Sequence, residues 1–169
     1  MAKKEKIGFL FPGQGAQYIG MGRDFYEQYS ASREVFELAD TILNRPFSQL
    51  IFEGTPEELT QTKNSQLAIY IVSYAIYKAL ITELPHLKPF ACAGLSLGEY
   101  TALAVAGKIS FEQGLLLVEK RALFMQEACV QNPGSMRVVL GMEPELIAGI
   151  LEKSNVSAWI ANLNCAGLS

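Results

Sequence analysis

A serine set between glycines, Gly94-Leu95-Ser96-Leu97-Gly98, fits the G-x-S-x-G pattern of a nucleophile carried on a sharp strand-to-helix turn. The chemistry such a serine performs is acyl transfer or hydrolysis through a covalent ester. Glycines on either side let the backbone adopt the strained conformation of the turn, which holds the hydroxyl clear of the sheet. A helix starting there presents unpaired N–H groups and a positive dipole end, so the Leu97 amide can stabilise the oxyanion formed when Ser96 attacks a carbonyl. Glu99, in the first turn, suits the same dipole. A glycine-flanked helix cap without chemistry satisfies the five residues equally well, and it is the strand before and the helix after that favour catalysis.

A second oxyanion donor has to come from another loop. Gly13-Gln14-Gly15 follows the apolar run at 7–11, at the carboxyl end of what reads as a strand, and in an open parallel sheet that edge binds ligands. Tyr18 stands where G-x-G-x-x-G requires its third glycine, so the loop supports a dinucleotide site only weakly.

Arg121 is the third candidate. It lies on a helical stretch with Leu117 and Val118 one turn before it, Phe124 and Met125 one turn after, and no acid at i±3 or i±4. The helix alone leaves three possibilities: a head extended to solvent, a structural pair with a distant acid, or an anionic ligand. With a serine elbow nearby, an acyl group bearing a carboxylate becomes attractive, because a guanidinium grips a carboxylate through two parallel hydrogen bonds. His86, the only histidine, is poorly placed as the serine's base. The five-residue strand between them, at about 3.3 Å per residue, would put it roughly 16 Å from the elbow.

The elements that must position these residues read as follows. Buried strands are expected at 7–11, apolar enough to be covered on both faces, and at 89–93, running into Gly94. Thr55-Pro56-Glu57-Glu58 is a helix start. A long apolar helix covers about 65–84 and ends at Pro85; a helix over 97–106 stops at Gly107, and Ser110-Phe111-Glu112-Gln113 opens another that reaches about residue 129. After the break at Asn132-Pro133-Gly134, strands at 136–140 and 156–163 flank a helix over 143–152 as a βαβ unit.

Strands alternating with helices give an α/β fold. Its parallel-sheet, α/β-hydrolase-like core is expected over residues 1–132. The first half (βαβ) of a ferredoxin-like subdomain, cut short, is expected over 133–169.

Composition narrows the classes further. The 169 residues are 50% hydrophobic and 18% charged with a net charge of −3, which describes a folding domain with no basic stripe for nucleic acid. The longest apolar segment, residues 67–81, is 15 residues long and includes Ser73 and Lys78, short of a membrane span, so it reads as a buried helix. No leader pattern opens the chain, and a cytoplasmic protein is expected. Cys92, Cys129 and Cys165 have neither C-x-x-C spacing nor histidine neighbours, so neither a disulfide framework nor a metal site is expected.

Taken together, three stretches resemble the malonyl-CoA:acyl carrier protein transacylase family and the related acyltransferase domains of polyketide and fatty acid synthases. They are Phe11-Pro12-Gly13-Gln14-Gly15-Ala16-Gln17 with Gly20-Met21-Gly22, then Gly94-Leu95-Ser96-Leu97-Gly98-Glu99-Tyr100, then Arg121 with Met125-Gln126-Glu127-Ala128. The resemblance covers nearly the whole chain. It implies that Ser96 takes a malonyl group from malonyl-CoA as an ester and passes it to the phosphopantetheine thiol of acyl carrier protein. It also implies that the backbone amides of Gln14 and Leu97 form the oxyanion hole, that Arg121 holds the malonyl carboxylate, and that Met125 and Asn164 line the substrate site. The coenzyme A thioester is then a substrate, and no cofactor is implied.

Two features depart from the family. Leu95 stands where a histidine usually precedes the nucleophile. The family's catalytic histidine lies downstream of its asparagine loop, matched here by Asn162-Leu163-Asn164, so the chain is expected to be the N-terminal part of a longer protein. A carboxyl-selective thioesterase or esterase, or a segment without turnover of its own, are the competing expectations.

Overall fold

The structure, a computed structural model, describes residues 6–164, so Cys165 falls outside the described residues. The chain divides into two compact units, Met1–Gln131 and Asn132–Ser169.

In the first unit the strands β1 (Gly8–Phe11) and β2 (Ala91–Gly94) pair in parallel, with Phe11 opposite Gly94. Between them in sequence come five helices, α1 (Arg23–Gln28), α2 (Ser30–Leu43), α3 (Phe47–Glu53), α4 (Pro56–Thr60) and α5 (Thr62–Glu83). After β2 follow α6 (Gly98–Val105) and α7 (Phe111–Gln131). The α/β class is as expected.

The helix starts follow their sequence signals. Thr55 Oγ1 accepts from the Glu58 amide at 3.2 Å while the Glu58 carboxylate accepts from the Thr55 amide at 3.4 Å. Ser110 and Gln113 exchange the same pair of bonds at the start of α7. Each reciprocal pair satisfies two amides that the first turn of a helix leaves unpaired. Replacing Thr55 by Ala is expected to lower the stability of the protein by about 1 kcal/mol, with Thr55→Ser restoring most of it, in denaturant unfolding. An unchanged midpoint for Thr55→Ala would show that the box contributes nothing.

The core is helical. Phe36, Phe47, Ile51, Leu59, Leu67, Tyr70, Ile71, Leu115 and Val118 are almost wholly buried. At the crossing of α5 and α7 the rings of Tyr70 and Phe111 stack at 5.4 Å, and the Tyr70 hydroxyl donates to the Phe111 carbonyl at 3.0 Å. Burial pushes the Tyr70 phenol well above its ordinary value, which keeps it a neutral donor. Helix α5 begins at Thr62, earlier than its apolar run, and at 22 residues it is long and apolar enough to cross a membrane by length and composition alone. Over half of its most apolar stretch, 56%, is nevertheless buried inside the protein, as in the central helix of a packed core.

Three expectations are corrected. β1 is not covered on both faces: Phe9 and Phe11 are partly buried, Phe9 against the Tyr77 ring, whereas Leu10 is 82% exposed. Within the first unit, the face of β1 and β2 that carries Leu10 and Ala93 is left exposed. Helices α1, α2 and α3 lie where the sequence reading assigns no element. In the second unit α8 (Pro144–Lys153) is present, but 136–140 and 156–163 are not strands; they are irregular apart from a bridge at Leu140. A strand exists only through its pairing, and these segments carry an apolar pattern without a ladder among the described residues.

Candidate active site

Parallel pairing brings the carboxyl ends of β1 and β2 side by side, and both turns leave from that edge. Ser96 sits in the turn between β2 and α6 with φ +52°, one of two non-glycine residues with positive φ among those described. Such a conformation is uncommon outside glycine and persists where the surroundings enforce it. The enforcement is visible in the two flanking glycines. A Cβ on Gly94 would lie 2.0 Å from the backbone of Gly98, and a Cβ on Gly98 would lie 2.3 Å from the Phe11 carbonyl oxygen. The first residue of α6 is thereby pressed against both strands, and the serine at the apex is pushed outward. Its hydroxyl is exposed, as a strand–turn–helix elbow requires.

Leu97 is buried and immediately precedes α6, so its amide belongs to the unpaired N–H groups at the helix start. The amides of Gly98, Glu99 and Tyr100 are taken up by the carbonyls of Leu95, Ser96 and Leu97. Among the described residues no hydrogen bond occupies the Leu97 amide. Gln14 lies in the turn that follows β1 at the same edge, and its side-chain amide donates to Thr62 Oγ1 at 3.3 Å. Gly13 of that turn is held against the Leu95 carbonyl, where a Cβ would come within 2.8 Å. The two loops are therefore in direct contact.

Arg121 reaches the serine from α7. Its Nη2 donates to Ser96 Oγ at 2.7 Å, its Nη1 donates to Gln66 Oε1, and its guanidinium lies 5.9 Å from the Tyr100 ring centre. The amide partner is distinct from the solvent, acid and anionic-ligand possibilities that the helix pattern offers. The apolar surroundings are also uneven: Val118 is buried, whereas Leu117 and Phe124 are 47% and 66% exposed. Among the described residues no carboxylate lies within ion-pair distance of Arg121, and the one such pair joins Arg23 to Glu53.

Gln66 was not legible as a site residue in the sequence. It falls at the polar end of an apolar helix, 55 positions from Arg121, and no spacing rule connects the two. Its Nε2 also donates to Met125 Sδ at 3.3 Å, which brings Met125 into the same cluster. Asn164 is exposed and belongs to the second unit. His86 is exposed in the turn between α5 and β2, at the end of β2 opposite the elbow, as its sequence position implied. Cys92 is on β2 two residues before the elbow. Burial pushes its thiol up, so it stays protonated near neutrality and offers no competing thiolate.

A strained, outward-facing serine, an open helix start beneath it and a guanidinium on its oxygen are the apparatus of acyl transfer. The chain belongs to the acyl transferase domain family, whose model matches residues 8–162. Among its relatives, the malonyl CoA-acyl carrier protein transacylase of Bacillus subtilis is 44% identical over 165 residues, an alignment covering 96% of this chain and 51% of that protein. The malonyl CoA-acyl carrier protein transacylase of Coxiella burnetii superimposes with a TM-score of 0.86 at 36% identity, covering 97% of this chain and 52% of that one. A malonyl-transacylase solved in complex with a type II polyketide acyl-carrier protein superimposes with a TM-score of 0.77 at 33% identity, covering 88% and 48%. The chain spans about half the length of the curated relatives it matches.

Proposed function

We propose that the chain is the N-terminal part of an acyltransferase that moves a malonyl group from coenzyme A to the phosphopantetheine thiol of acyl carrier protein in fatty acid biosynthesis, in the cytoplasm. The hydrogen bond from Arg121 to Ser96 Oγ carries this reading, because it sets a permanent cation beside the atom to be acylated. A malonyl ester on Ser96 bears its carboxylate one methylene beyond the ester carbonyl, within reach of that guanidinium. An acetyl group has nothing to offer it.

In the first half-reaction Ser96 Oγ attacks the thioester carbonyl and its proton passes to a base from the remainder of the protein. The negative charge on the carbonyl oxygen is held by the Gln14 and Leu97 amides. The C–S bond breaks, and coenzyme A leaves as the thiol with the proton the base returns. The second half-reaction is the reverse, with the carrier's thiol as attacking group. Met125 lines the acyl pocket beside Arg121, and no cofactor takes part. In the whole protein the sheet continues beyond β1 and β2 as a hydrolase-like core. Residues 133–169 then become the first half of a ferredoxin-like subdomain. The exposed apolar residues Leu10, Met136, Val138 and Leu140 support this completion.

The test uses the full-length polypeptide with malonyl-CoA and holo-acyl carrier protein. Malonyl-carrier should form faster than free malonate by at least about 10²-fold, since a positioned thiol acceptor outcompetes water. Release of malonate at the higher rate would replace the transferase with a thioesterase, and no consumption of malonyl-CoA would leave a non-catalytic protein.

A further inference from the structure

We propose that Gln66 is a positioning residue that sets the acyl selectivity of the site, by holding the Arg121 guanidinium at Ser96 with an uncharged partner. The inference rests on the reading of Arg121 as the carboxylate's partner and adds a second residue to it.

Gln66 is 0% exposed, so both ends of its amide need partners within the protein. It finds them on one helix one turn apart: Oε1 on Arg121 and Nε2 on Met125. The orientation is dictated by chemistry. A guanidinium has only donors and must meet the oxygen, and a thioether sulfur is only an acceptor and must meet the NH2 group. The amide is carried by α5, whose neighbours Leu67, Ala68 and Tyr70 are fully buried, and it faces the part of α7 where Val118 and Ala122 are fully buried. A half-buried arginine with a long flexible stem is thus tied to a rigid element, which removes rotamer freedom before any substrate arrives.

The uncharged character of the partner is what bears on selectivity. A buried carboxylate at this position would pair with Arg121 through two charge-assisted bonds and cancel its charge, leaving little attraction for an incoming anion. The amide takes one N–H and leaves the charge uncompensated. With another N–H on Ser96, three of the five guanidinium donors stay open among the described residues.

The experiment compares kcat/KM for malonyl and acetyl transfer in the full-length polypeptide carrying Gln66→Glu, Gln66→Met or Arg121→Ala. Gln66→Glu should lower the malonyl-to-acetyl ratio by about tenfold or more, because the substrate carboxylate must compete with an internal one. Gln66→Met removes the acceptor without adding charge and should lower the ratio by about threefold, which keeps the proposal testable if the charged variant does not fold. Equal losses of both activities in either folded variant, or an unchanged ratio, overturn the proposal while leaving the role of Arg121 intact. If Arg121→Ala itself leaves the ratio unchanged, the underlying reading of the site falls, and the role of Gln66 with it.

Discussion

In the full-length polypeptide, Ser96→Ala should abolish the covalent malonyl adduct and slow malonyl transfer by roughly 10⁴- to 10⁶-fold, the range expected when a serine enzyme loses its nucleophile. The loss should be this complete because the elbow makes the serine irreplaceable by position. Its φ of +52° is imposed by the close packing of Gly98 against Gly94 and the Phe11 carbonyl, so a neighbouring side chain cannot rotate into its place. Leu95 and Leu97 carry no nucleophile, and Cys92 is held protonated on the strand below. Stability should change little, since the serine is exposed and, among the described residues, its hydroxyl is hydrogen-bonded to Arg121 alone. Peptide mass mapping after incubation with malonyl-CoA provides the check. A malonylated peptide from Ser96→Ala that carries the group elsewhere, with transfer preserved, would end the assignment.

What the sequence made legible is what local rules govern. The two capping boxes, the glycine turns and the G-x-S-x-G elbow lie where residue chemistry puts them, because each depends on neighbours within a few positions. Helices α1, α2 and α3 carry weaker local signals, although Val35, Phe36, Ala39 and Leu43 of α2 are spaced as one buried helical face. The exposed side of β1 departs from its sequence pattern for a different reason. A continuous apolar run reports that both faces are suited to burial, not that both are covered, and Leu10 is exposed in the first unit. The same holds at 136–140 and 156–163, where the apolar pattern is present and, among the described residues, no strand forms beyond a bridge at Leu140. At the site, Ser96 and Arg121 were legible as chemical types. The tie between Arg121 and Gln66 was not, because a contact between α5 and α7 across 55 residues leaves no periodic trace.

Arg121→Ala is the change that separates an acylating serine from a malonyl-selective one. Charge-assisted hydrogen bonds contribute about 1.5–3 kcal/mol each, so loss of a two-pronged grip on the carboxylate should cut kcat/KM for malonyl transfer by about 10²-fold or more. Acetyl transfer should fall far less or rise, because an uncharged acyl group gains nothing from the guanidinium and benefits from the space its removal opens. Arg121→Lys tests geometry apart from charge. An ammonium keeps the positive charge but cannot form the parallel pair of bonds, nor bond Gln66 and Ser96 together from one plane, so it should recover only part of the malonyl activity. Folding is separable from these effects. The Arg121 side chain is half-buried and bonded to Gln66 and Ser96, so an unfolded variant would lose both activities together and would show it in the thermal transition. A folded Arg121→Ala enzyme whose malonyl and acetyl rates fall by the same factor would make the arginine a support for the elbow, and the site would then have no feature that prefers a carboxylate.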